Sequence, residues 1–147
     1  MQQRLNIKLL EPEAYKAMYV MEQYLSTTNI SLILKELIKI RASQINGCAY
    51  CIQMHTKEAR NGGETEQRIY ALSAWWESPL FTEQEKAALA MTDEITKISK
   101  RGLTEDTFQK VRENFDEKTI AQLIILINSI NSWNRIAVAT HMFHTSE

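Results

Sequence analysis

The chain has 147 residues, 44% of them hydrophobic and 24% charged, which is the make-up of a folded globular domain and argues against disorder. Its length suits one domain able to bury a core without disulfide or metal staples. Seventeen Lys and Arg against eighteen Asp and Glu leave a formal charge of -1, too little to gather nucleic acid or an anionic membrane surface.

From the amino terminus, MQQRLNIKLL lacks the apolar core of a signal peptide, and no apolar run nears the ~20 residues of a membrane span. The expected location is the cytoplasm, with no membrane partner and no nucleic acid. Leu5, Ile7 and Leu9 are the one hint of period-two alternation. Pro12 suits the first turn of a helix running to about Leu25, because proline there loses a donor that would be unpaired anyway. Polar residues 26–29 read as a turn, and a helix follows from about Ile30 to Gln44. Asn46 and Gly47 break it, and the next helix begins just before Cys48 and stops at Gly62-Gly63. A fourth helix is expected over 64–76, ended by Ser78-Pro79. Thr82 with Glu85 forms a capping-box pattern that opens a helix to about Ile98. A short helix spans about Thr104 to Glu113, and Asp116 caps a long final one. In that last helix Ile120, Leu123, Ile124, Ile127 and Ile130 recur at helical spacing, and Ile125 and Leu126 widen the stripe until more than one side must be buried. The expected architecture is all-α, a single domain over 1–147 with about seven helices. So broad an apolar stripe on a small domain also favours association into a homo-oligomer.

Chemistry concentrates at one place. The two cysteines stand three apart, in Cys48-Ala49-Tyr50-Cys51, and in a reducing compartment that spacing points to redox or metal chemistry. Cys48, Cys51 and His55 fall within roughly 60° on one helical face, and Cys51 neighbours both of the others. A helix start favours a thiolate, and an adjacent imidazole can take its proton. If residues 30–61 form an antiparallel hairpin turning at Ile45-Asn46, Glu36 and His55 lie at one level, about 14 Å from the turn at ~1.5 Å rise per residue. Glu36 could then orient His55 while His55 serves Cys51.

The segment from Glu36 through Arg41-Ala42-Ser43-Gln44-Ile45-Asn46-Gly47-Cys48-Ala49-Tyr50-Cys51-Ile52-Gln53-Met54-His55 resembles the core of the AhpD-like alkylhydroperoxidase family, within the carboxymuconolactone decarboxylase superfamily. The resemblance extends more loosely over most of the chain, including Asn131-Ser132-Trp133-Asn134-Arg135. The family pattern sets a Glu twelve residues before a CxxC and a His four after its second Cys, and Glu36, Cys48, Cys51 and His55 match it. It implies an all-α homo-oligomer that reduces peroxides through a cysteine pair, needing neither metal nor flavin. Some members carry a relay His between the cysteines, where this chain has Tyr50. Tyr50 either donates a hydrogen bond in the site or covers the helix face.

The expected activity is therefore a thiol peroxidase with a hydroperoxide substrate and an external dithiol reductant. Cys51 attacks the peroxide, Cys48 closes the disulfide and meets the reductant, and Glu36 and His55 relay the proton. The alternatives are a non-catalytic helical oligomer acting as a redox sensor, a decarboxylase-like enzyme of the superfamily, and a zinc site adding His141 and His144 to the cysteines. Against the decarboxylase, such members generally lack the cysteine pair; against zinc, the ninety-residue gap matches no short module. Haem attachment needs His where Ile52 stands, and a thioredoxin fold needs strands. The Lys57-Glu58-Arg60 group reads as a solvated face. Trp75, Trp76 and Trp133 read as core or subunit-contact aromatics.

Overall fold

Every regular element of this computed structural model, which describes residues 2–144, is helical. The Leu5-Ile7-Leu9 alternation does not make a strand. Asn6 accepts the Leu9 N–H with its side chain and opens a single turn, α1 (Ile7–Leu10). Pro12 starts α2 (Pro12–Ser26), as its fixed φ and missing donor predict. Ser31 caps α3 (Leu32–Asn46), and Gly47 ends it in the left-handed region at φ 67°, a conformation that costs glycine nothing. The Cys48 N–H then returns to the Ser43 carbonyl at 2.9 Å, and α4 (Ala49–Asn61) runs back along α3. The expected hairpin is present.

The segment over 64–76 departs from the expected single helix. Thr65 caps α5 (Glu66–Ala71), and a 3-10 turn over Leu72–Ala74 replaces its continuation. That turn buries Leu72 completely and brings the Trp75 indole N–H to the Asp93 carboxylate at 3.4 Å. The capping box of Thr82 and Glu85 forms and opens α6 (Glu83–Thr96). A separate turn, α7 (Ile98–Arg101), precedes α8 (Glu105–Asn114), and Asp116 caps α9 (Glu117–Thr140). Nine α-helices thus stand among the described residues where about seven were expected. The surplus is α1 and α7, each of four residues, too short to display a period in sequence.

The core lies where α3, α6 and α9 meet. Leu34, Ile38, Met91, Leu123, Leu126 and Ile127 pack there out of water. Ile124 and Ile125 pack against the same cluster from the flanks of α9, so that helix is covered on more than one side. Arg41 on α3 grips Asp93 on α6 with two hydrogen bonds, of 2.7 and 2.8 Å. A polar clamp fixes the α3 end of the hairpin to α9. Asn46 Nδ2 donates to Asn131 and Asn134 at 2.9 Å each, and Asn134 Nδ2 donates to Ser43 Oγ at 2.9 Å. The Asn131–Arg135 segment therefore locks the turn that precedes the cysteines. Among the described residues, no helix is long and apolar enough to cross a membrane.

Candidate active site

Cys48 is the N-cap residue of α4, with its Sγ accepting the Cys51 N–H at 3.3 Å. The two sulfurs are joined as a disulfide and are buried, Cys48 at 1% and Cys51 at 2% exposure. One turn on, His55 is also buried, and its Nδ1 lies 2.8 Å from Glu36 Oε2 across the hairpin. Equal rise along two antiparallel helices brings the acid and the ring together.

His55 Nδ1 has a second acid partner. Glu58 Oε2 lies 2.9 Å away, so Glu58 turns back along α4 and does not stand simply on a solvated face. Its side chain remains half exposed, at 50%. The i,i+3 spacing from His55 was the signal in sequence, and it pointed to no more than a neighbour. Lys39 completes the charge set, with its Nζ 3.3 Å from Glu36 Oε1 and 3.7 Å from Glu22 Oε2. The Glu36 carboxylate is thus buried, with the partly buried Lys39 ammonium as its cation. Glu22 in turn accepts from Ser129 Oγ at 2.7 Å and from the Trp133 indole at 3.1 Å. A continuous polar chain thus runs from α9 through α2 and α3 to the imidazole on α4.

Burial alone would push the His55 pKa down, yet the hydrogen bonds to Glu36 and Glu58 outweigh it and hold the pKa above the ordinary value. The hydrogen bond from His55 holds the Glu58 carboxyl below the usual range, against its partial burial. With Nδ1 committed to carboxylates, Nε2 is the ring nitrogen left for proton transfer. Glu36, His55 and Glu58 also bring ligand atoms within 4.8 Å of one another. They would suit a hard divalent cation by donor type, but the Lys39 ammonium already serves Glu36.

Cys51 and His55 open on one cavity of about 320 Å³ between α2, α4 and α9. Its far wall is an aromatic cluster that sequence reading missed. Tyr15 and Tyr19 from α2 meet Trp133 at centroid distances of 5.1 and 5.7 Å. Burial and the neighbouring Tyr19 raise the Tyr15 pKa to about 12, so that phenol stays neutral. Tyr50 lines the same cavity, and its ring stacks on His144 at 4.0 Å with 9° between planes. His144 Nε2 lies 3.2 Å from the Tyr50 carbonyl, and His141 ends α9 in the left-handed region at φ 53°. Neither histidine is arranged with the two sulfurs as a zinc set, since the sulfurs are bonded to each other.

The sequence pattern of the carboxymuconolactone decarboxylase family matches residues 12–94, which include Glu36, both cysteines and His55. The chain belongs to that family and is AhpD-like. It is 48% identical over 139 residues to YdfG of Bacillus subtilis (strain 168), covering 95% of each chain. The AhpD-like fold superposes on ATU0492 of Agrobacterium tumefaciens, a structure provisionally named for antioxidant defence, with TM-score 0.96 and 42% identity. That match covers 99% of this chain and 100% of the other. A peroxidase-related protein of Silicibacter sp. TM1040 shares the AhpD-like fold at TM-score 0.81 and 24% identity, over 92% of this chain and 72% of that one.

Proposed function

We propose that this AhpD-like chain is a thiol peroxidase that reduces organic hydroperoxides through a Cys48–Cys51 dithiol/disulfide cycle. The observation that carries the proposal is the placement of Cys51 and His55 on one cavity, with Glu36 held to the far ring nitrogen. In the reduced enzyme the Cys51 thiol gives its proton to His55 Nε2, and the thiolate attacks the outer peroxide oxygen. The O–O bond breaks, the alkoxide takes the proton from His55 and leaves as alcohol, and Cys51 becomes a sulfenic acid. Cys48 attacks that sulfur as thiolate, hydroxide leaves as water, and the disulfide forms. An external dithiol restores the pair. The aromatic wall gives the cavity an affinity for an apolar organic group on the peroxide. Tyr50 closes the cavity beside Cys51 and takes no proton in this cycle.

The test is peroxide consumption with cumene hydroperoxide and dithiothreitol, followed over many enzyme equivalents. Continued turnover is expected, with dimedone trapping a sulfenic acid at Cys51 in the Cys48→Ser variant. Consumption that stops after one equivalent would instead identify a redox sensor.

The same proposal includes a homo-oligomer. Leu9 at 76% and Val20 at 58% exposure leave apolar surface uncovered on α1 and α2, the latter being the helix that carries Tyr15 and Tyr19. Such exposure on a small domain marks the surface on which copies would pack. Sedimentation equilibrium is expected to give a multiple of the chain mass, and Val20→Glu is expected to shift it toward the monomer.

A further inference from the structure

The two sulfurs of the disulfide face different openings. Cys51 lines the cavity with His55, whereas Cys48 lines a second depression of about 240 Å³ between the start of α4 and the end of α9. Gly47, Ala49, Val138 and His141 surround it, with Met142 and Tyr50 standing between the two openings. We propose that this second depression is the entry site for the dithiol reductant, which attacks Cys48 and expels Cys51. The inference rests on the dithiol/disulfide cycle proposed above and assigns the site of its reductive half.

Thiol–disulfide exchange passes along the S–S axis, so the attacking sulfur must come from the side opposite the leaving one. Attack on Cys48 therefore has to come from the side away from Cys51, and the second depression is the opening that Cys48 lines and Cys51 does not. Charge separates the two routes as well. The attacking group is a thiolate anion, and the first cavity presents it with the carboxylates of Glu22 and Glu58, which the Lys39 ammonium on the same wall offsets only in part. Among the described residues no carboxylate lines the second depression, and the N-terminal end of α4, with its positive dipole end, borders it. A neutral peroxide is indifferent to those acids, so the two substrates are sorted by charge.

Each leaving group also has a partner. One thiolate of the dithiol bonds to Cys48 Sγ, the Cys48–Cys51 bond breaks, and Cys51 leaves as a thiolate beside His55, which lies four residues on along α4. The reductant's second thiol, once deprotonated, attacks its own bound sulfur and expels Cys48 as a thiolate. That thiolate stays at the N-cap, where its Sγ accepts the Cys51 N–H. Two electrons pass from the dithiol to the cysteine pair, and its two protons end on the two cysteines or on His55.

Protein oxidised beforehand with diamide gives a test that needs no peroxide. Brief exposure to 2-mercaptoethanol, acid quench and alkylation should leave the mixed disulfide on Cys48 and the alkyl group on Cys51, read by fragment-ion mass spectrometry. An adduct on Cys51 overturns the proposal. Val138 is 44% exposed, so Val138→Trp can fill the depression without entering the core. It should slow reduction at least tenfold, and Val138→Ala should not. Dithiothreitol and reduced thioredoxin are run side by side. Slowing with both marks a site open to small dithiols, and slowing with thioredoxin alone marks a protein docking site. Reduction unaffected with both reductants overturns the proposal. If peroxide fails to oxidise the pair, the peroxidase proposal falls while these reduction measurements still decide the entry site.

Discussion

Glu36→Gln is expected to lower peroxide turnover by roughly a hundredfold while circular dichroism stays unchanged, because the loss of an acid–base partner typically costs 10²–10⁴ in rate. Gln keeps the size of Glu36 and can still accept from His55 Nδ1, now 2.8 Å from the carboxylate, but it removes the charge that steadies a protonated ring. Activity that needs a free Nε2 rises as pH climbs through the His55 pKa, which lies above 6.5 in the native protein. In Glu36→Gln that limb should move to lower pH, since the largest support for the charged ring is gone. A limb that stays in place would mean that Glu36 does not govern His55. The same linkage reaches stability. The folded-state pKa of His55 is raised, so its contribution is full below about 6.5 and is lost as pH rises through the folded value. Wild type should therefore lose its advantage over His55→Gln as the medium becomes alkaline, measured by urea denaturation.

Leu126→Ala should destabilise the fold by about 3 kcal/mol, since a buried Leu truncated to Ala costs 2–5 kcal/mol through lost transfer and a residual cavity. Leu126 is completely buried where α9 meets α3 and α6, so its truncation opens a gap in the packed interior. For a chain of this length the melting temperature should fall roughly 6–12 °C by calorimetry. The cysteine pair lies in a separate small cluster with Ala137, so the variant that remains folded should retain its reaction with peroxide. A fall below about 1 kcal/mol would show that the core of α9 relaxes around the missing side chain.

Much of the site was legible because helices and tight turns are local. Cys48, Cys51 and His55 share a face through helical spacing, and Gly47 forces the reversal that brings Glu36 level with His55. The hairpin follows from residues a few positions apart. Glu22 and the Tyr15-Tyr19-Trp133 wall were not legible, because α2 and α9 reach the site from distant parts of the chain. Nothing in the period of a helix says which other helix its polar side will face. The 3-10 turn over Leu72–Ala74 escaped for a related reason, since its geometry serves the burial of Leu72 and the approach of Trp75 to Asp93.

By itself the order of residues determined the helical class, the helix starts at Pro12, Thr82 and Asp116, and the Glu-Cys-Cys-His frame, since each depends on contacts within a few turns. Only tertiary packing decided that Glu22 joins Lys39 and Glu36 beside the imidazole, and that the two sulfurs open on different depressions. Those outcomes depend on how α2 and α9 close over α4. A long-range contact is selected by shape and charge across space, which no short window of sequence contains.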